Sequence, residues 1–231
     1  MKEIMIWSDY AFPFCYIGEK RLKDALDDLG LRKEFTIKYR AFELNPHAPR
    51  KTDENITDLM AKKYNLSHEE AKRRVEEIDK AGNDAGLVFR YSTAPSSNTL
   101  DAHRLMKFAE DKYDEKTVEN LNEGLFEAYF TDNRRLSDHD VLMQVAINAG
   151  LPTEETSRVL NSKHYTEQVR HDENEAHKLG VQGVPFIVFE GRLAVPGAIP
   201  TDEFKHILKE LMAGKQAEDI AGGPECEETR K

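Results

Sequence analysis

The sequence predicts an α/β protein in which a β-α-β unit at the start of the chain and a β-β-α unit near its end form one core, interrupted by a mainly helical insertion. Three observations predict this. The apolar run Ile4-Met5-Ile6-Trp7 and a period-two segment from Phe35 to Ala41 enclose a stretch of helical periodicity. From Val184 onward come two short β-rich runs around a Glu190-Gly191 turn, followed by a helical pattern. Everything between reads as helix. The expected division is a core of residues 1–44 and 180–215, a helical insertion at 45–179, and a flexible acidic tail at 216–231, where residues turn small and acidic.

Each element has a local justification. Ile4-Met5-Ile6-Trp7 is short, continuous and apolar, as expected of a strand buried on both faces. Pro13 falls in the first turn of the next helix, where its missing N–H costs nothing. Cys15, Leu22, Leu26 and Leu29 then line one face, with Glu19, Lys20, Lys23, Asp24, Asp27 and Asp28 opposite, until Gly30. In the insertion, Ile56, Leu59, Met60 and Tyr64 make one amphipathic face, and Ser67-x-x-Glu70 is a capping box for a helix through Val75 and Ile78. Ala102, Leu105, Met106 and Ala109 make a third helix, and Val118 through Tyr129 a fourth. Ser137-x-x-Asp140 reads as the cap of a fifth, through Val141, Val145 and Ala149 to Gly150. Two more start at Thr153 and at about His164, the latter reaching Leu179. Pro185 opens the strand Phe186-Ile187-Val188-Phe189, Leu193-Ala194-Val195 returns beside it, and Phe204, Ile207, Leu208 and Leu211 recur at helical spacing after Pro200-Thr201.

Composition narrows the function. With 231 residues the chain can bury a full core, and its net charge of −10 argues against nucleic acid and anionic membranes as partners. No segment approaches the ~18–20 apolar residues of a membrane span. The first residues lack the apolar stretch of a secretory signal, and two distant cysteines make no secreted disulfide framework, so the expected location is cytoplasmic.

The chemistry-bearing segment is Asp9-Tyr10-Ala11-Phe12-Pro13-Phe14-Cys15-Tyr16-Ile17-Gly18, which has the frame of a redox Cys-x-x-Cys motif with Phe12 in the first cysteine position. Cys15 falls at a helix start, where free N–H groups and the helix dipole favour a thiolate. The four aromatic residues around it read equally as a ligand-binding surface or as a plug. Val184-Pro185, heading a strand, is a candidate cis peptide. His103, after Asn98 and Thr99, reads either as a functional group beside the cleft or as a core histidine satisfied by hydrogen bonds. His164 and His171, with Asp172 adjacent, have no third convergent ligand, so solvated surface and no metal are expected. Gly-rich phosphate loops, Gly-x-Ser-x-Gly and His-Glu-x-x-His are absent from the sequence.

Several blocks in order resemble the FrnE-like branch of the DsbA family: the segment above, then Phe42-Glu43-Leu44-Asn45-Pro46, Asn98-Thr99-x-x-Ala102-His103-Arg104-Leu105, Leu125-Phe126-x-Ala128-Tyr129-Phe130 and Gly183-Val184-Pro185-Phe186. The resemblance implies a thioredoxin-like core with a helical insertion. It makes Cys15 the resolving cysteine and Phe12 the lost nucleophile position, with Pro13, Phe14 and Pro185 completing the catalytic set. Val184, Asn98, His103 and Tyr10 would border bound substrate, and Cys226 matches a cysteine of the family's C-terminal extension that could pair in redox chemistry. It implies no cofactor, and as partner a thiol or disulfide protein, a peptide, or a low-molecular-weight thiol. Oligomeric state stays open. Three functions fit: a thiol–disulfide oxidoreductase with impaired or altered dithiol chemistry, a redox-inert peptide- or small-molecule-binding protein, and a glutathione-dependent isomerase or transferase of the kappa or chromene-carboxylate type. The last is disfavoured because Phe12 cannot donate a hydrogen bond to a glutathione sulfur.

Overall fold

The computed structural model describes residues 1–50 and 54–215, so Cys226 and the expected tail lie outside the described residues. Four strands make one mixed sheet: β1 (Lys2–Ser8), β2 (Phe35–Ala41), β3 (Phe186–Phe189) and β4 (Leu193–Pro196), in the order β2-β1-β3-β4. β1 lies parallel to β2, with Ile4 beside Ile37, and antiparallel to β3, with Ile6 beside Ile187. Paired on both edges, it buries Ile4, Ile6 and Trp7. Parallel neighbours need a crossover, and α1 (Pro13–Asp28) supplies it, burying Ile17, Leu22, Ala25 and Leu26. Gly30, at φ +64, lets the chain turn back toward β2.

The sheet is interrupted between β2 and β3 by α2 (Ile56–Tyr64), α3 (His68–Asp84), a 3₁₀ turn at Tyr91–Thr93, α4 (Leu100–Lys112), α5 (Glu115–Phe130), α6 (His139–Ala149), α7 (Thr153–Leu160) and α8 (Thr166–Lys178). The capping box of α3 is formed: Glu70 N–H donates to Ser67 Oγ at 3.2 Å and Ser67 N–H to Glu70 Oε2 at 2.9 Å. Helix α6 departs from expectation. Its cap is Asp138, whose carboxylate accepts the Asp140 N–H at 2.9 Å, while the Ser137 hydroxyl is held by the Arg50 carbonyl instead. Helix α8 begins two residues after His164, because Tyr165 takes φ +66. In α2 only Ile56 and Thr57 are buried; Leu59 and Met60 are half-buried against the core and Tyr64 is 53% exposed, so the amphipathic face is only partly covered.

Sheet and helices share one core. Tyr16 of α1 stacks on Phe126 of α5 at 4.8 Å, and Phe130 on Phe89 at 4.7 Å. Asp172, expected on a solvated face with His171, is 2% exposed and joins the two parts of the chain. Its carboxylate accepts the Ala41 N–H at 3.0 Å and pairs with Lys107 at 2.7 Å and Arg40 at 3.1 Å; its carbonyl accepts Trp7 Nε1–H at 3.0 Å. The period of the helix puts Asp172 next to Val169 and Ala176 on the inward side and leaves His171 outside. α9 (Thr201–Met212) closes the fold beside α1, burying Phe204, Leu208 and Leu211, with Lys205 paired to Asp28 at 2.7 Å. Among the described residues no helix is long and apolar enough to cross a membrane.

Candidate functional site

The segment between β1 and α1 is fixed by Asp9. Its Oδ1 accepts the Ala11 N–H at 3.2 Å, its Oδ2 the Leu44 N–H at 2.7 Å, and its carbonyl the Phe12 N–H at 3.0 Å. Phe12 therefore occupies the extended N-cap position of α1, where a phenyl ring offers no acceptor to the free N–H groups, and Pro13 follows as the first helical residue. The Phe12 carbonyl accepts the Cys15 N–H at 3.0 Å.

Cys15 turns inward. It is 0% exposed, and its Sγ accepts the Asp9 N–H at 3.4 Å. Burial pushes the thiol far above its ordinary pKa, against smaller opposing pulls from the Ser8 side chain and the Asp9 N–H. The expectation of a favoured thiolate at the helix start is thus corrected: desolvation outweighs the dipole once the sulfur is wholly enclosed.

The aromatic residues around Cys15 divide. Tyr10 and Tyr16 face the core; the Tyr10 ring lies 4.9 Å from those of His103 and Phe126, and its hydroxyl donates to Asn122 Oδ1 at 3.0 Å. Phe12 and Phe14 face outward, 5.8 Å apart, and line a groove of about 810 Å³. Leu44, Asn45 and Ala48 form one rim of it. Ile56, Leu59, Met60 and Tyr64 of α2 form another wall, and Asp9, Tyr91 and Tyr129 also contribute.

Of the residues expected to border substrate, Tyr10 and His103 lie beneath the groove, within the core. His103 Nε2 is 3.8 Å from Asp9 Oδ1 with no hydrogen-bond partner among the described residues, so it is a core histidine, though not a satisfied one. Asn98 acts from behind the rim: its Nδ2 donates to the Ala48 carbonyl at 3.3 Å and its Oδ1 accepts the Leu100 N–H at 3.1 Å. The Val184–Pro185 peptide is cis, and both residues are buried. Pro185 packs against α1 one turn beyond Cys15, where a Cβ on Gly18 would stand 3.1 Å from Pro185 Cγ and from Ala198 Cβ. Phe12, Pro13 and Phe14 are therefore brought together on the groove, whereas Cys15, Pro185, Val184, Tyr10 and His103 are not among the residues that line it.

Sequence reasoning missed the α2 wall and the contributions of Tyr91 and Tyr129 to the lining. The signal for the wall was slight: a nine-residue helix with a broad apolar face reads as core unless its covering neighbour is known. Among the described residues no three His, Cys, Asp or Glu side chains gather as a metal site would require.

Residues 3–209 match the family model described as a DSBA-like thioredoxin domain. The uncharacterized protein YwbO of Bacillus subtilis (strain 168) is 23% identical over 209 residues, spanning 90% of this chain and 96% of its own. The crystal structure of a probable DsbA oxidoreductase from Streptomyces coelicolor superposes with a TM-score of 0.83 at 29% identity, over 100% of this chain and 94% of that one. The cytosolic disulfide reductase DsbM from Pseudomonas aeruginosa, solved with GSH, shares the fold, with a TM-score of 0.60 at 13% identity over 91% of this chain and 99% of its own.

Proposed function

The chain belongs to the DSBA-like thioredoxin family, and from that membership we propose that it is a FrnE-like thiol–disulfide oxidoreductase scaffold whose dithiol chemistry is lost or altered. The observation that carries this is the pairing of Phe12 with a fully buried Cys15 at the start of α1. In a dithiol cycle a first thiolate attacks the substrate disulfide, forming a mixed disulfide and releasing one substrate thiolate. The second cysteine then attacks the enzyme-side sulfur, expelling the other substrate thiolate and leaving an enzyme disulfide. Phe12 has no sulfur, so neither enzyme bond can form within the motif. Cys15 keeps the resolving position but is protonated and enclosed, the opposite of what an attacking thiol needs.

On this reading the partner is a thiol or disulfide protein or peptide, or a low-molecular-weight thiol, met in the cytoplasm, in keeping with two cysteines that supply no disulfide framework. The test is insulin reduction with a dithiol donor by the parent, Phe12→Cys and Cys15→Ser proteins. The parent should be near background and Phe12→Cys should gain activity by an order of magnitude or more. A fully active parent that tolerates Cys15→Ser would place the chemistry elsewhere.

The groove favours a second reading, a binding protein on the same scaffold, because its size lies within the ~300–1,000 Å³ of small-molecule sites and its wall is largely apolar. A Phe12→Cys protein that folds normally and gains nothing would shift the balance to it. The glutathione-dependent alternative is tested by titration with glutathione; saturable binding that Phe12→Ser strengthens would support it.

A further inference from the structure

We propose that the open half of the β2 edge is a docking site for an extended, acidic segment of another protein, which adds to the sheet as a fifth strand. The site shares no lining residue with the Phe12 groove and calls for no thiol chemistry.

β2 is an edge of the sheet, and its register with β1 decides which backbone groups face away. Lys2 N–H donates to the Glu34 carbonyl at 2.8 Å and Phe42 N–H to the Ser8 carbonyl at 3.1 Å, with Lys2 beside Phe35 and Ser8 beside Ala41. In a parallel ladder that register turns the backbone of Thr36, Lys38 and Arg40 toward β1 and that of Phe35, Ile37, Tyr39 and Ala41 outward. Side chains close the far half of this outward row. Tyr39 N–H donates to Glu110 Oε1 at 2.9 Å, Lys107 Nζ to the Tyr39 carbonyl at 2.6 Å, and Ala41 N–H to Asp172 Oδ2 at 3.0 Å. The outward N–H and C=O groups of Phe35 and Ile37 have no such partner among the described residues. Both residues line a depression of about 410 Å³, which Tyr113 after α4 and Val118 and Glu119 of α5 also line. Their side chains belong to the core, so the in-plane backbone edge is what they present to it.

Alternating donors and acceptors at strand spacing are met by another extended backbone. Charge selects which one. In the lining, Arg32 pairs with Glu119 and Glu110 with Lys107, whereas Lys33, Lys38 and Lys116 make no ion pair among the described residues. These three outnumber Glu115, whose carboxylate accepts only the Thr36 hydroxyl at 3.0 Å. In a chain of net charge −10 this is a local excess of positive charge, which draws an acidic segment and repels a basic one. A second copy of β2 would set the same lysines against their counterparts, so pairing of two such edges is opposed. The strand that fits is short, because Glu110 and Lys107 close the row at Tyr39.

The test is fluorescence anisotropy of the full chain with a labelled peptide of alternating glutamate and valine. Two controls accompany it: the same peptide N-methylated at alternate backbone nitrogens, and one with lysine in place of glutamate. The parent should bind the first peptide about tenfold more tightly than either control, since N-methylation removes about two backbone hydrogen bonds. Lys38→Glu and Lys116→Glu should each weaken it about threefold or more at unchanged Tm. Lys72→Glu, the same change of charge at an exposed site on α3, should leave it within about twofold. No saturable binding by any of these proteins overturns the proposal. Equal affinity for the N-methylated peptide would reduce the site to a charged patch, and an equal loss from Lys72→Glu would mean that only net charge is sensed; either result also overturns it. Binding that appears only when Glu225, Glu227 and Glu228 are changed to Gln would assign the edge to the chain's own end. A parent dimer that the peptide dissociates would assign it to a second copy, and both outcomes count against a separate partner.

Discussion

At Cys15 two local effects oppose each other. The start of α1 lowers the cost of a thiolate, while complete enclosure raises it, and the net direction is a thiol far above its ordinary pKa. This has a consequence for stability with a definite sign. An unfolded thiol ionises near about 8.5, and the folded one stays protonated well beyond, so the native state keeps a proton that the unfolded state releases. The stabilisation is complete below about pH 8.5 and declines as pH rises above it, by at most about 1.4 kcal/mol per pH unit. The Tm measured between about pH 7 and about pH 10 should therefore fall more steeply for the parent than for Cys15→Ala. Buried tyrosines such as Tyr10 and Tyr39 add the same trend to both proteins and cancel in the comparison. Parallel curves would show that Cys15 is accessible in the native state. Phe12, three residues earlier, has the opposite placement, partly exposed on the groove.

The elements are locally specified, and their faces are set by close packing. Gly82 in α3 shows how tight this is. A Cβ there would stand 2.3 Å from Phe89 Cγ, and Phe89 is itself stacked on Phe130. Alanine would regain about 1 kcal/mol of helix propensity, but overpacking a fixed ring costs about 1–3 kcal/mol, so Gly82→Ala should be net destabilising by up to about 2 kcal/mol. Chemical denaturation with an unchanged m-value checks this; a stabilised variant would mean that Phe89 yields freely. At the site, Phe12, Pro13 and Phe14 were legible in the sequence because strand end, proline and helix start are adjacent along the chain. The α2 wall was not, since the apolar face of α2 looks the same whether another helix or solvent covers it.

Across the whole molecule, the sheet and the helical insertion are joined by Asp172, which binds Ala41, Lys107 and Arg40 and receives Trp7 through its carbonyl. Such a junction predicts one cooperative transition. Trp7, the single tryptophan, reports the sheet, while far-UV circular dichroism reports mainly the helices, so the two melting curves should coincide. Separate midpoints would show that the insertion unfolds alone. Removing one partner of a buried ion pair costs about 3–5 kcal/mol; Asp172→Ala should approach that loss at the lower end, because Glu110 still pairs with Lys107 at 2.7 Å.

The sequence by itself determined which segments are strand or helix and where α1 and α3 begin. These depend on residues within a few positions of each other: Pro13 at a first turn, Ser67 with Glu70, the period-two run from Phe35. Tertiary structure alone decided that His103 is enclosed in the core, that Asp172 is a buried junction while its neighbour His171 is solvated, and that the Tyr129 hydroxyl is buried with no partner among the described residues. Each of those outcomes depends on what distant chain covers a given face, and burial, which sets the pKa of a thiol and the need of a hydroxyl for a partner, is a property of the covering and not of the covered segment.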